Sequence, residues 1–156
     1  MIVFKKIKYQ NFLSSGNIPI EIELDKASTT LIVGTNGSGK STLLDALCFA
    51  LFNKPFRIIK KEQMVNTINN SEAMVEVEFM VGTKSYNVRR GIKPNIFEII
   101  CDGEQLNQDA STIDYQKYLE QNIMKLNYRS FIQVVILGSS SYEPFMKMKP
   151  RYRREV

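Results

Sequence analysis

Apolar and polar residues alternate from position 18 to position 24. Ile18, Ile20, Ile22 and Leu24 lie between Pro19, Glu21 and Glu23, the two-residue period of a strand with one face in water. Residues 2–11 are also strand-like, so the two segments are expected to pair as a hairpin around Ser14-Ser15-Gly16-Asn17. Residues 30–33 are continuously apolar at their centre and predict a short buried strand. The period then changes. Leu43, Leu44, Leu47, Ala50 and Leu51 recur at helical spacing and predict a helix over 41–52. Residues 53–70 are polar and basic, an irregular excursion with room for a short helix. Val75, Val77, Phe79 and Val81 alternate with Glu76, Glu78 and Met80. Gly82-Thr83 turns that strand into 84–90, residues 96–101 follow, and Asp102-Gly103 is a hairpin turn, so an antiparallel meander is expected. Residues 114–127 predict an amphipathic helix with Tyr115, Tyr118, Leu119, Ile123 and Leu126 on its apolar side. Residues 131–137 predict a last buried strand, ended by Gly138-Ser139-Ser140-Ser141. The order of elements is that of an α/β fold.

Where the buried strand meets the first helix, the chain reads Gly34-Thr35-Asn36-Gly37-Ser38-Gly39-Lys40-Ser41-Thr42. The spacing Gly-x4-Gly-Lys-Ser between a strand and a helix is that of a phosphate-binding loop. Glycines let the backbone approach an anion closely, and the first N–H groups of the helix point at it. The expected nucleotide-binding residues are Asn36, Gly37, Ser38, Gly39, Lys40, Ser41 and Thr42. Lys40 supplies a full charge to the β- and γ-phosphates. Ser41 offers its hydroxyl to Mg²⁺, and Thr42 reaches the α-phosphate. The expected cofactors are ATP and Mg²⁺.

Composition narrows the chemistry. There is no histidine, which excludes imidazole acid–base catalysis and most catalytic zinc sites. Cys48 and Cys101 are far apart in sequence and form no Cys-x-x-Cys pair. The net charge is +5, and Lys147, Lys149, Arg151, Arg153 and Arg154 account for most of it, as a DNA contact or as a solvated end. No apolar stretch reaches the ~18 residues of a membrane span, and the N-terminus lacks the order of a secretory signal. A cytoplasmic protein without a membrane partner is expected. Hydrolysis would also need a carboxylate beside the metal, at the end of an apolar strand. No strand here ends in one, so no catalytic residue is expected in this chain, and it should bind nucleotide with little turnover.

Further features combine into a likeness. The first strand ends Tyr9-Gln10-Asn11-Phe12. The helix after the loop reads Leu43-Leu44-Asp45-Ala46-Leu47-Cys48-Phe49-Ala50-Leu51-Phe52. Lys54-Pro55-Phe56-Arg57, Val88-Arg89-Arg90-Gly91, Tyr128-Arg129-Ser130-Phe131 and Pro144-Phe145-Met146 follow. Over nearly its whole length the chain resembles the SbcC family of DNA double-strand-break repair ATPases. Its phage branch is nearest, that of the T4-type recombination nuclease ATPase subunit, taken here as exonuclease subunit 1. The resemblance implies a P-loop NTPase fold, the N-terminal half of an ABC-type ATPase head with an antiparallel β meander beside a phosphate loop–helix core. Residues 1–156 would be the N-terminal lobe. The coiled coil and C-terminal half would be absent, leaving a fragment or a natural split. It implies a hydrolase when the head is whole, two heads sandwiching ATP as a homodimer, and control of DNA access to a nuclease subunit, in a bacterial or phage-infected bacterial cell.

The likeness also places Ser139 where related heads carry a Gln that links Mg²⁺ to the second lobe, so Ser139 is a candidate metal contact through water, with Gln133 structural. Arg57, Lys60, Lys61, Arg89 and Arg90 are candidates for DNA or nucleotide contact. Arg89 and Arg90 adjoin on a strand, so they face opposite sides. Competing readings are an ABC-type transporter or SMC-like head, a non-catalytic ATP-dependent DNA-binding or assembly module, and a small P-loop kinase.

Overall fold

The computed structural model describes residues 1–106, 112–136 and 145–155. Its centre is a six-stranded sheet in the order β2-β1-β3-β4-β5-β6. The strands are β1 (Ile2–Gln10), β2 (Ile20–Glu23), β3 (Ala73–Val81), β4 (Lys84–Ile92), β5 (Ile96–Cys101) and β6 (Glu104–Gln105). Every pairing is antiparallel. The register sets Ile22, Ile7, Val77, Val88 and Ile99 in one row across five strands, and the last four are fully buried. One residue along, the other face carries charge. Lys6 bridges Glu21 and Glu78 at 3.7 and 3.8 Å, and Arg89 bridges Glu76 and Glu98 at 3.5 and 3.1 Å. The alternation in the sequence thus becomes one apolar and one ionic face.

Helix α1 (Lys40–Phe52) lies on the apolar face and is buried from Thr42 to Phe52 except at Leu44, which is half-buried. Phe12 stacks on Phe49 with ring centroids 5.5 Å apart. Helix α2 (Thr112–Tyr118) widens into a π-helical turn (Leu119–Met124), and α3 (Tyr128–Val134) and α4 (Pro150–Arg153) follow. A 3₁₀ turn (Lys61–Met64) interrupts the basic excursion. Among the described residues no helix is long and apolar enough to cross a membrane.

Three expectations are corrected. Residues 30–33 form no strand. Leu31 and Val33 are 83% and 78% exposed, because a buried parallel strand needs neighbours on its edges and cover on both faces, and no described strand lies beside them. Residues 131–134 are helical rather than extended. The Asn127 side chain accepts the Ser130 N–H at 2.8 Å and caps α3. Phe131 then packs at 5.1 Å from Phe52 and 6.1 Å from Phe4, and this cap and docking outweigh the strand preference of Ile132, Val134 and Val135. Gln133 therefore lies on a helix; Leu137 and Ser139 fall outside the described residues. Tyr118, placed on the apolar side, is 44% exposed. The wider π-turn shifts the buried stripe to Tyr115, Leu119, Ile123 and Met124.

Candidate functional site

The phosphate loop sits at the head of α1. Ser38 N–H donates to the Thr35 carbonyl at 3.1 Å and closes a turn. Gly37 and Gly39 hold φ of 80° and 91°, the left-handed region a side chain resists. Gly39 is the N-cap of α1, with no capping side chain and no acid in the first turn. The positive end of a buried helix is thus not neutralised by the protein. The Lys40 ammonium donates to the carbonyls of Gly34 at 2.6 Å and Thr35 at 2.8 Å. Two of its three donors fix it across the loop, and one remains.

Three parts of the chain enclose a cleft of about 320 Å³ at this point. The loop and helix supply Asn36, Gly37, Gly39, Lys40, Ser41 and Thr42; the β1–β2 connection supplies Leu13 and Ser14; the excursion supplies Arg57. Two cations and no carboxylate line it, so the cleft suits an anion. A metal would fit only in company with a polyphosphate, at the Ser41 hydroxyl. Among the described residues no cluster of acids, cysteines or histidines could hold a metal by itself.

Six of the seven expected nucleotide residues line the cleft; Ser38 instead turns its hydroxyl toward Gly34. Of the five basic candidates, Arg57 alone reaches it. Lys60 and Lys61 are exposed at the 3₁₀ turn. Arg89 is on the ionic face of the sheet. Arg90 is buried and structural. Its Nε donates to the Ala50 carbonyl at 3.0 Å, its Nη2 to Gln116 Oε1 at 2.5 Å, and its guanidinium lies 3.7 Å over the Phe97 ring. Burial draws its pKa down to about 9, with the Glu120 carboxylate opposing. Arg89 and Arg90 do face opposite sides, as the strand period requires.

Sequence reasoning missed Leu13, Ser14 and Asp45. An asparagine network sets the first two. Asn66 Nδ2 donates to the carbonyls of Leu13 and Ser15 at 3.2 and 3.0 Å, and Leu13 N–H donates to the Met64 carbonyl at 2.6 Å. Asn11 and Leu13 take φ of 49° and 53°, so the connection is held in a strained shape that brings Ser14 to the loop. The dense Asn and Ser composition of residues 11–17 was the available signal. For Asp45 the signal was a lone acid inside an apolar helix.

The model of one family, described as an AAA domain, matches residues 6–155. The chain belongs to the AAA domain family. It is 47% identical over 151 residues to exonuclease subunit 2 of Escherichia phage RB69 and 46% identical to that of Enterobacteria phage T4, each match covering 97% of this chain. It is 28% identical to the DNA double-strand break repair Rad50 ATPase of Thermoplasma volcanium, over 99% of this chain and 17% of that protein. The phage relatives carry the number 2, which corrects the subunit number 1 expected above. These relatives are SbcC-like, as the sequence resemblance implied. The chain spans 27% of the length of those phage relatives. Among solved structures, an SMC ATPase shares the fold at a TM-score of 0.56 and 20% identity, covering 97% of this chain and 95% of that one. The Smc head domain of Pyrococcus furiosus does so at 0.57 and 22%, covering 80% of this chain and 33% of that one. The family's fold is thus the N-terminal half of an ABC-type head, and the family is one of nucleotide-binding proteins.

Proposed function

We propose that residues 1–156 form the N-terminal lobe of an ABC-type ATPase head and bind Mg-ATP, within a nuclease complex that repairs and recombines DNA double-strand breaks. Backbone N–H groups from residue 36 to residue 42 cradle the phosphates. Lys40 bridges their outer oxygens, and Ser41 would hold the metal, which supplies charge neutralisation at the β- and γ-phosphates. ATP-driven dimerisation with a second head would control DNA access to a nuclease subunit, in the cytoplasm of an infected bacterial cell. The rest of the head would supply the carboxylate and the group that orients water, so this chain is an ATPase only as part of the whole.

The observation that carries the reading is the Lys40 ammonium, fixed across the Gly34 and Thr35 carbonyls at the uncapped end of a buried helix. The likeness to phage exonuclease subunits supports the repair role. The test is melting with and without Mg-ATP. Binding at 100 times the dissociation constant stabilises by ~2.7 kcal/mol, so wild type should show an upward shift that Lys40→Ala loses. No shift in the wild type would sink the assignment. Hydrolysis by this chain alone at an ordinary enzyme rate, lost in Lys40→Ala, would contradict the division of labour.

A further inference from the structure

Asp45 is fully buried one turn along α1 from Ser41. A carboxylate there is costly unless its oxygens are satisfied. Among the described residues, one residue supplies all of the carboxylate's hydrogen bonds. Arg57 donates its backbone N–H to Oδ1 at 2.9 Å, its Nε to Oδ2 at 2.6 Å, and its Nη2 lies 2.6 Å from Oδ2. The main chain and the guanidinium of Arg57 are therefore both held.

The chain leading to Arg57 is fastened twice more. Asn53 ends α1 in a left-handed conformation and donates its N–H to the Phe49 carbonyl at 2.9 Å. The Tyr128 hydroxyl donates to the Pro55 carbonyl at 2.9 Å. Immediately after Arg57, Ile58 is fully exposed. The held stretch thus runs up to the residue that reaches the cleft, and Ile59 packs against the core just beyond it. The Arg57 side chain is 47% accessible and lines the same cleft as Lys40 and Ser41. Its Nη1 bonds to no described residue, so donors remain on the open side of the fork.

The geometry points to Asp45 as a positioning residue that holds Arg57 as a second, oriented cation at the triphosphate site without touching the ligand. This deepens the nucleotide reading above and rests on it. Asp45 offsets part of the charge of Arg57, so orientation rather than net charge is the gain. A free arginine must surrender rotamer freedom on meeting a phosphate; a pinned one has already done so, and its planar fork suits two phosphate oxygens.

Calorimetric titration with Mg-ATP and with magnesium tripolyphosphate, on wild type, Asp45→Asn, Arg57→Gln and the double variant, tests this. Asn keeps the acceptor for the Arg57 N–H but can turn an amide NH₂ toward the guanidinium. Each single variant should lose affinity for both ligands by roughly tenfold, one lost charge-assisted bond. The double variant should bind no more weakly than either single one. If Asp45→Asn melts earlier yet binds tripolyphosphate as wild type does, the proposal is overturned. Additive losses overturn it too, since Asp45 would then act apart from Arg57. Should Asp45→Asn fail to fold, Arg57→Gln decides: wild-type affinity overturns the proposal, and a tenfold loss sustains it. A wild type that binds neither ligand removes both readings, whereas binding indifferent to both substitutions removes this one alone.

Discussion

At the scale of single residues, backbone conformation ranks the glycines of the loop. A Cβ on Gly34 would collide with Ser38 Oγ, but a serine hydroxyl can rotate away. Gly37 and Gly39 have open space or ordinary contacts where a Cβ would stand, yet their φ of 80° and 91° penalise any side chain. Each should cost ~1–2 kcal/mol on substitution by Ala. Gly39→Ala should therefore weaken Mg-ATP binding more than Gly34→Ala, as calorimetry would measure; the reverse order would mean that close approach, not conformation, governs this loop. The cysteines differ as sharply. Burial first, and then the Asp45 charge, pushes the Cys48 thiol up to about 12, while Cys101 is partly exposed. With the folded pKa above the unfolded 9.0, the native state keeps its proton longer. Cys48 thus contributes stability in full below pH 9 and loses it as pH rises toward 12. At about pH 8, below the ordinary thiol range, a disulfide reagent should modify one thiol per native chain and two in denaturant. Two reactive thiols in the native chain would contradict the packing of α1. The phosphate loop was legible at this scale because its chemistry needs fixed residue types at fixed spacing. Asp45 and Leu13 were not, because their roles depend on partners 12 and 53 residues away.

At the scale of elements, the end of α1 is where the second layer attaches. Arg90 and Gln116 satisfy the Ala50 and Leu51 carbonyls at 3.0 and 2.9 Å, which the helix itself leaves without donors. Arg90→Met keeps most of the volume but strands the Ala50 carbonyl and the Gln116 amide oxygen. It should cost ~1–3 kcal/mol, read in chemical denaturation with the midpoint lowered. An unchanged midpoint would mean that water replaces the guanidinium. The same element explains what could be read in advance. The meander was legible because period two is plain in β3 and turn residues at Gly82-Thr83 and Asp102-Gly103 mark where the chain reverses. The helix at Tyr128–Val134 was not, since the β-branched Ile132, Val134 and Val135 read as strand-forming, and its capping Asn127 lies just before it. For residues 30–33 the apolar content was read as a buried strand, and they form neither a strand nor a buried segment, because burial is conferred by neighbours and not by composition.

At the scale of the molecule, α1 packs on the apolar face of the sheet, but large aliphatic side chains elsewhere are left exposed. Leu31, Ile32 and Val33 are 83%, 46% and 78% exposed, and Ile18 and Ile20 on and beside edge strand β2 are 83% and 41% exposed. The unpaired edge of β2 and segment 30–33, which has no ladder partner among the described residues, together with large exposed aliphatic side chains, are a template for pairing with another chain. At rising concentration this protein should therefore self-associate, with sedimentation velocity showing a weight-average mass that climbs above the monomer. Leu31→Lys together with Val33→Lys should suppress that climb, because two charges oppose edge-to-edge contact. The double variant should keep its unfolding free energy to within ~0.5 kcal/mol of wild type, the usual bound for exposed positions. Amide exchange gives an independent reading of segment 30–33. Residues 30–33 lack ladder partners among the described residues, so their amides should exchange as fast as those of open loops, while β1, β3 and β4 are protected up to global unfolding. If the wild type stays monomeric at all concentrations and amides 30–33 are protected, the segment is covered by the chain itself, and the account of why it failed to form a strand is wrong.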